Sequence, residues 1–485
     1  VASAGVNKGI NVCNTLELDR LTKKYDTLIQ QCELLKFVPA SGAATRMFKH
    51  LFTWREAMKA HLDQESLSLG GDPLNPSSAA AFGIALPKYA FYPALEKQMQ
   101  AQGNSLDQCL QKEDYLSILE ALLNKEGLNY AALPKALIAF HSYGSEQRCS
   151  LEEHLVEAAA YLVKEGLVSI HFTVSPEHLS LFKQKLAEKQ ALYEKRFNIK
   201  YHITYSIQKP STDTIAVDLN NSIFRDSQGA MLFRPGGHGA LIENLNDCKG
   251  DIIFIKNIDN VTIDALRADT IVYKKALAAI LLELREQIFS YLSLLETATT
   301  LPCEKMDEIV KFASQKLNIV LPDLDTKSQI QKIKLVYNAL NRPMRVCGMV
   351  KNEGEPGGGP FWVQNPNTKE ISLQIVESSQ INMQNEAQKA IFESATHFNP
   401  VDLVCSVKNY KGENFDLRQY VDPNTAFISY KSVAGKDLKA LELPGLWNGA
   451  MAHWITIFVE VPISVFTPVK IVNDLQRKEH RNMEV

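Results

Sequence analysis

The strongest constraint on the fold is an alternation of apolar, strand-like runs with amphipathic helical segments. Four runs are strand-like and end in polar or glycine-containing residues: "KFVPASG", "LVSIHFTVSPEH", "KYHITYSIQKP" and "GDIIFIKNIDN". Helical patterns such as "SLEEHLVEAAAYLVKEG" precede or separate them. This order predicts an α/β fold with a mainly parallel, mixed, Rossmann-like sheet and helices on both faces. Because ligands bind beyond the carboxyl ends of strands in such sheets, the polar segments are expected to meet in one crevice.

The alternation also predicts how the chain is organised. Two long helical blocks, at about 50–130 and 262–340, interrupt it and predict large helical insertions. We expect a helical lead-in over 1–36, an α/β core over 37–390, and a C-terminal portion over 391–485 that extends the sheet.

Composition excludes several classes of partner. The chain of 485 residues has a net charge of −3, so it has no basic field for nucleic acid or an anionic membrane surface. The longest apolar stretch, "GAMAHWITIFVEVPISVF", is interrupted by His453, Glu460 and Pro462, which indicates buried strands and no membrane span. The eight cysteines form no Cys-x-x-Cys pair and the first residues show no signal-peptide pattern. Both features predict a cytoplasmic protein without a zinc site or a disulfide framework.

The segment "VPASGAATRMFKHLF" predicts a strand, a loop of small residues and a helix. The loop consists of Ala40, Ser41, Gly42, Ala43 and Ala44, followed by Thr45 and Arg46. Free N–H groups at a helix start together with a guanidinium suit a polyphosphate, although neither a Walker A motif nor a Gly-x-Gly-x-x-Gly fingerprint is present. A tight strand–helix junction with Arg46 on the surface is an equally open interpretation.

This loop resembles the Gly-rich Leu-x-Gly-Gly-x-Gly-Thr-Arg signature of sugar-1-phosphate nucleotidylyltransferases, in particular the UDP-sugar pyrophosphorylase group. Further segments resemble that superfamily in the same order: "LPKALIAF", "YSIQKPSTDTIAVD", "RPGGHGALIENL", "NIDN" and "FVEVPISVFTPVKIVNDL". Together they span residues 37 to 475. The resemblance implies the nucleotide-diphospho-sugar transferase fold, glycosyltransferase-A-like, and a bacterial branch of the superfamily in which helical insertions stretch the spacing.

The resemblance also implies an activity and its site. It implies transfer of a nucleotidyl group, with uridylyl as the first choice, from a nucleoside triphosphate to a sugar 1-phosphate. Arg46, Lys135 and Lys470 take the catalytic positions at the phosphates, and Asp259 takes the position that holds the cofactor Mg²⁺. Substrate-binding positions fall on Ala40, Ser41, Gly42, Ala43, Thr45, Gln208, Gly236, Gly237, His238 and Gly239, with Gln208 reading the base.

Each of these positions has a plain structural alternative. Asp259 suits an Asx-turn after a strand, and either lysine suits a solvated surface amine. Gln208 suits a polar residue at a strand end, and "RPGGHGALIENL" suits a turn that opens a helix. Gly357–Gly359 suit either a sugar pocket or a flexible hairpin connection. The tryptophans of "GLWNGAMAHW" suit either a sugar pocket or the core.

The sequence keeps a second function open. Ser41 and Ala44 stand where the resembled enzymes carry glycine, and Ala240 replaces a glycine after His238. Each added Cβ restricts how closely the backbone can approach a phosphate or a base. A nucleotide or nucleotide-sugar binding protein without catalysis is therefore the alternative. A glycosyltransferase is disfavoured, because no Asp-x-Asp metal motif stands near the middle of the predicted sheet.

Overall fold

The computed structural model describes residues 1–42, 44–61, 67–354, 357–433 and 436–481. The strands are, in chain order, β1 (Ala2–Ser3), β2 (Gly5–Val6), β3 (Gly9–Asn11), β4 (Leu34–Pro39), β5 (Ala139–Tyr143), β6 (Glu146–Cys149), β7 (Leu167–Val174), β8 (Lys200–Ile207), β9 (Thr214–Val217), β10 (Phe233–Arg234), β11 (Ile252–Lys256), β12 (Met344–Lys351), β13 (Gly359–Gln364), β14 (Ile371–Val376), β15 (His397–Phe398), β16 (Asp402–Ser406), β17 (Phe427–Val433), β18 (Lys436–Glu442) and β19 (Ile455–Glu460). The α-helices are α1 (Thr15–Leu28), α2 (Lys49–Ala60), α3 (Ala79–Ala85), α4 (Tyr92–Ala101), α5 (Leu106–Gln111), α6 (Tyr115–Leu123), α7 (Ser150–Tyr161), α8 (Leu179–Phe197), α9 (Leu241–Asn246), α10 (Ala268–Thr297), α11 (Cys303–Lys316), α12 (Gln329–Leu340) and α13 (Glu386–Glu393).

A mixed, largely parallel sheet forms the centre of the fold and confirms the predicted class. Its strand order is β2-β3-β19-β12-β16-β11-β4-β7-β8, with β15 paired to β12. β11, β4, β7 and β8 run parallel to one another, whereas β16 is antiparallel to both of its neighbours. Because β12 and β19 also run parallel to β11, the carboxyl ends of all these parallel strands lie at one edge of the sheet.

Helices cover both faces of this sheet because its strands are apolar on both sides. In β4, Leu34 and Val38 belong to a core shared with α1, α7, α8 and α10. Leu35 and Phe37 face the opposite side, where α9 and the segment before β19 pack. The alternation of side chains along one strand therefore serves two separate cores.

Two groups of helices lie in the segments where the sequence predicts helical insertions. Helices α2 to α6 surround a third core that includes Trp54, Phe91 and Leu119, and Val472 from the C-terminal segment completes it. Helices α10 to α12 form the second insertion. The long helix α10 packs directly on β12 and β16, so this insertion is part of the layer that covers the sheet.

The remaining strands lie at the periphery. The predicted helical lead-in over 1–36 contains α1, but strands β1 to β3 precede it: β3 pairs with β19 of the central sheet, and β1 pairs with β13. A small antiparallel sheet has the order β10-β9-β18-β17, and β5 and β6 form a hairpin. Within the described ranges, no helix is both long enough and apolar enough to cross a membrane.

Candidate functional site

Three of the predicted site residues follow neighbouring strands of the central sheet. Gly42 follows β4, Gln208 follows β8, and Asp259 follows β11. Since β11, β4, β7 and β8 are adjacent and parallel, the loops after them share one edge. The N–H of Ala40 donates to the carbonyl oxygen of Thr173 at 2.9 Å, which ties the loop after β4 to β7. Gly42, Gln208 and Asp259 therefore all lie at the carboxyl edge of the sheet.

Lys135 and Asp259 form an ion pair at this edge. The Lys135 Nζ donates to Asp259 Oδ2 at 2.8 Å and to the carbonyl oxygen of Val469, also at 2.8 Å. The Val469 N–H in turn donates to the carbonyl oxygen of Asp259 at 3.1 Å. The side chains of the pair are 14% and 21% exposed, so solutes can reach them. Three segments far apart in the sequence therefore meet at one ion pair.

Backbone hydrogen bonds hold the loop after β4 against the segment of Lys135. The Lys135 N–H donates to the carbonyl oxygen of Gly42 at 3.2 Å, and the Ala44 N–H donates to that of Leu133 at 3.1 Å. The sequence predicts a helix directly after this loop, but a 3-10 turn over Ala44–Arg46 comes first and α2 begins after it. The first free N–H groups of α2 are therefore not at the loop itself.

The side chains of this loop are mostly accessible. Thr45 and Arg46 are exposed, and Ser41 is half-buried. Within the described part of the chain, the Arg46 guanidinium has no hydrogen bond or ion pair, so its donors are available to a ligand. Ala43 lies outside the described residues, and its predicted role stays a prediction.

Gly42 is a glycine that neither packing nor backbone conformation requires. A Cβ added there would meet nothing within 4 Å, and its φ lies outside the left-handed region. Among the described glycines, it alone combines these two properties; Gly103 and Gly144, for example, also face open space but have φ values of +82° and +68°. The open space at Gly42 is therefore where a ligand can approach the backbone.

Replacing Gly42 by alanine is expected to separate folding from ligand binding. The free energy of unfolding should stay the same or rise by up to about 1 kcal/mol, because alanine restricts the unfolded chain. Affinity for a nucleoside triphosphate should fall at least about tenfold, because the Cβ blocks one charge-assisted hydrogen bond to the backbone. Urea unfolding and titration calorimetry measure the two effects. Gly103→Ala is the control, which should be destabilising without a change in affinity; equal affinities of Gly42→Ala and the wild type would contradict the role of Gly42.

Lys470 directly follows the residue whose carbonyl oxygen binds Lys135. The N–H groups of Lys470 and Ile471 donate to Asp474 Oδ2 at 2.7 and 2.9 Å, which fixes the backbone as a turn. The Lys470 side chain is exposed, and its Nζ lies 5.9 Å from the centre of the Phe466 ring. The structure therefore brings the Lys470 backbone to the Lys135–Asp259 pair.

Gln208 carries an unsatisfied donor. Its Nε2 is buried and has no hydrogen-bond partner in the described chain. Next to it, Asn244 Nδ2 donates to Ser206 Oγ at 2.8 Å and to the carbonyl oxygen of Ile207 at 2.9 Å. Because buried amides are normally paired, a ligand carbonyl is a fitting partner for Gln208. Asn244 lies in α9, so the end of β8 contacts the helix that follows the loop 236–239.

The glycines of the loop 236–239 pack against the backbone of the chain itself. A Cβ on Gly239 would lie 2.1 Å from the carbonyl oxygen of Pro444, and one on Gly236 would lie 2.7 Å from that of Thr212. Gly237 has a φ of +77°, which favours glycine. Close packing within the chain and a positive φ therefore account for these glycines, as in a turn that opens a helix.

His238 stacks on Trp447, with ring centroids 4.4 Å apart and an interplanar angle of 14°. Its Nδ1 accepts from the N–H of Leu446 at 3.1 Å, so the neutral ring carries its proton on Nε2, 3.8 Å from Glu377 Oε1. Within the described residues, no hydrogen bond or ion pair joins His238 to the pair formed by Lys135 and Asp259. His238 and the Lys135–Asp259 pair are therefore held by separate sets of contacts.

A family model described as "Domain of unknown function (DUF4301)" matches residues 1–481. The chain belongs to the DUF4301 family. A comparison with curated proteins found no match.

Solved structures similar to the DUF4301 chain include two pyrophosphorylases and a phosphorylase. The UDP-N-acetylglucosamine pyrophosphorylase of Trypanosoma brucei, in complex with an inhibitor, is 10% identical in sequence and has a TM-score of 0.47. The match covers 97% of this chain and 69% of the pyrophosphorylase chain. A mutant UDP-glucose pyrophosphorylase of Leishmania major is 14% identical in sequence and has a TM-score of 0.38. The match covers 71% of this chain and 61% of the pyrophosphorylase chain. A UDP-glucose phosphorylase of Trypanosoma brucei is 14% identical with a TM-score of 0.39, covering 71% and 60%. The DUF4301 chain thus spans about three fifths of the length of the last two proteins.

Helix α7 of the DUF4301 chain supports the peptide before Asp259 from inside the fold. Ser150 Oγ donates to the carbonyl oxygen of Ile258, and His154 Nε2 donates to the same oxygen at 3.1 Å. Because a carbonyl only accepts, the His154 proton lies on Nε2. Burial, together with the nearby Lys36 ammonium, lowers the pKa of His154 well below its usual value, so the ring is neutral. Two buried donors therefore fix the backbone that carries Asp259.

One turn further along α7, the Glu157 carboxylate bridges two lysines of the sheet. It accepts from Lys36 Nζ of β4 at 2.9 Å and from Lys256 Nζ of β11 at 2.7 Å, and the three side chains are at most 2% exposed. Burial lowers the pKa of Lys36 to about 7. Burial alone would raise the pKa of Glu157, but the two ammonium groups hold it well below its usual value. This network connects the strands that carry the Gly42 and Asp259 loops, and the sequence reasoning missed it.

The residues at Asp259 fit a magnesium ion only in part. The described residues contain no group of three His, Cys, Asp or Glu side chains able to hold a metal ion. Asp259 offers one carboxylate, whose Oδ2 is paired with Lys135, and no described residue hydrogen-bonds to its Oδ1. Mg²⁺ is commonly held by one or two carboxylates plus substrate phosphates and water. The donor set therefore suits an ion that arrives with phosphates, and it does not suit one bound by the protein alone.

Proposed function

We propose that this protein is a nucleotidyltransferase that moves a nucleotidyl group, with uridylyl as the first choice, from a nucleoside triphosphate to a sugar 1-phosphate. The observation that carries the proposal is the contact between Lys135 and Asp259. This pair lies beside the Gly42 loop, and Lys135 also binds the carbonyl oxygen of the residue directly before Lys470. These four positions come from separate segments that resemble one enzyme superfamily. Their association at the carboxyl edge of a parallel sheet is the arrangement that such a site needs.

The residues suit the chemistry of the reaction. An oxygen of the sugar phosphate attacks the α-phosphorus, a new P–O bond forms, and the bond between the α-phosphorus and its bridging oxygen breaks to release pyrophosphate. Positioning and charge neutralisation supply most of the catalysis of phosphoryl and nucleotidyl transfer. Arg46, Lys135 and Lys470 would neutralise the phosphates, and the backbone at Gly42 would approach them closely. Asp259 would hold Mg²⁺, which supplies further neutralisation of phosphate oxygens when bound.

Gln208 is proposed to read the base through its unpaired Nε2. UTP should then raise the melting temperature of the protein more than ATP does, because ligands that bind only the folded state stabilise it. Gln208→Ala should remove most of the difference between the two nucleotides, and thermal-shift measurements with all four triphosphates test this. Gln184→Ala, on the exposed surface of α8, is the control that should keep the difference. Equal shifts from all four triphosphates on the wild type would contradict base reading by Gln208.

A nucleotide-binding protein without catalysis is the second candidate. It is favoured by one observation, that the ammonium of Lys135 already occupies Oδ2 of Asp259, the proposed metal ligand. Exchange of labelled pyrophosphate into a triphosphate, in the presence of a nucleotide sugar, separates the two candidates. An enzyme of the proposed class catalyses this exchange, and a binding protein does not.

A further inference from the structure

A cavity of about 910 Å³ lies between the first helical insertion and the C-terminal segment. Its walls come from the chain around 87–93, from the β5–β6 hairpin, and from 475–481. None of the predicted site residues lines it. The volume lies within the range of pockets that hold small organic ligands.

The charged side chains that line the cavity are cationic. Lys88, Lys478 and Arg481 line it and are exposed, and no carboxylate is among the lining residues. None of these three side chains has an ion-pair partner in the described part of the chain. Two carboxylates behind the walls are already engaged: Asp107 accepts from a tyrosine hydroxyl at 3.1 Å, and Asp474 pairs with a guanidinium at 2.8 Å. Among the residues that the structure describes, the three cations of this cavity have no ion-pair partner.

The wall next to Lys88 contains the start of helix α4 and Tyr89. Helix α4 begins at Tyr92, which lines the cavity, and the residue before it gives no side-chain cap. The Tyr92 N–H donates to the carbonyl oxygen of Tyr89 at 2.9 Å and Pro93 has no N–H, so this helix start offers little to an anion. Tyr89 also lines the cavity; it is 3% exposed, and its buried hydroxyl has no hydrogen-bond partner among the described residues.

We propose that this cavity binds a small organic phosphate ester at a site separate from the triphosphate crevice. Three cations favour a multiply charged anion over a single carboxylate. The cavity is larger than inorganic phosphate requires, and rings such as those of Tyr92 and Phe140 line it beside the cations. The ligand therefore carries an organic part as well as its phosphate.

Charge reversal tests the site in solution, with inorganic pyrophosphate as the probe. Calorimetric titration should show two sites on the wild-type protein, one in each location. Lys88→Glu combined with Arg481→Glu should weaken one of them at least about tenfold and leave the other unchanged. The control is Lys97→Glu combined with Lys112→Glu, which makes the same charge change on exposed lysines outside the cavity and should keep both sites. Binding that is the same in both double variants would overturn the proposal.

A crystal of the wild-type protein soaked with tungstate, a phosphate mimic with a strong anomalous signal, locates the site without any substitution. We expect a peak between Lys88, Lys478 and Arg481. A peak at Gly42 alone would overturn the cavity site and leave the proposed transferase standing. A peak in the cavity alone would support the cavity and count against the crevice, so the two proposals fail separately.

Discussion

Asp259→Asn is expected to lower pyrophosphate exchange at least about a hundredfold while the protein remains folded. The substitution keeps the size of the side chain but removes the charge that would anchor Mg²⁺ at the transferring phosphate, an effect of several kcal/mol on the transition state. The asparagine oxygen can still accept from Lys135. Because the Lys135–Asp259 pair is partly exposed, the free energy of unfolding should fall by no more than about 1 kcal/mol.

Asp251 provides a closely matched control for this experiment. It lies directly before β11, at the opposite end of the strand that Asp259 follows, and pairs with Lys408 at 2.6 Å. Its side chain is 19% exposed, against 21% for Asp259. Asp251→Asn should therefore cost similar stability and leave exchange unchanged. Equal exchange rates for the two variants would show that Asp259 has no special role in catalysis.

Glu157→Gln is expected to reduce the free energy of unfolding by about 3–5 kcal/mol. Glutamine has nearly the same shape, but it leaves the buried ammonium groups of Lys36 and Lys256 without a charge partner. A loss of this size is a large fraction of the stability of a typical domain. Urea unfolding measures it, and adding Lys36→Met should restore part of the loss by removing one uncompensated charge.

A surface ion pair serves as the comparison for Glu157. Glu283 pairs with Arg20 at 2.6 Å, and their side chains are 26% and 52% exposed. Glu283→Gln should cost no more than about 1 kcal/mol, because water screens exposed pairs. If Glu157→Gln cost no more than Glu283→Gln, the buried network would not connect β4 and β11 as described.

The architecture of the sheet was predictable because its signals are local. The apolar runs that became β4, β7, β8 and β11 alternate with helices, and that order alone predicts a parallel sheet with polar loops at one edge. The contact between Lys135 and Asp259 was predictable only through the order of the family-like motifs. No local pattern around either residue indicates which strand or segment the other joins.

Features that depend on distant backbone contacts were not predictable. Three glycines in the loop 236–239 suggest a ligand, yet Gly236 and Gly239 face carbonyl oxygens of Thr212 and Pro444. The start of α2 was predicted too early, because the Ala44 N–H is bound by a carbonyl oxygen far along the chain. Such contacts join residues whose positions relative to each other the sequence does not specify.

The polar residues of α7 are a signal in the sequence for its buried network. The segment "SLEEHLVEAAAY" places Glu152, Glu153, His154 and Glu157 on several faces of one helix. A helix that covers a sheet normally keeps its polar residues on one side. Buried acidic residues spread over a wide arc of such a helix indicate buried cationic partners, here Lys36 and Lys256 for Glu157.

Transfer of label from UTP to a nucleotide sugar tests the proposed function most directly. The wild-type protein is incubated with UTP labelled in its α-phosphate, Mg²⁺ and each of a set of sugar 1-phosphates, and the products are separated by chromatography. We expect label in one nucleotide sugar with one equivalent of pyrophosphate released, and no transfer by Asp259→Asn. Binding of UTP without transfer to any sugar phosphate, in folded protein with Mg²⁺ present, would contradict a nucleotidyltransferase and favour the nucleotide-binding protein.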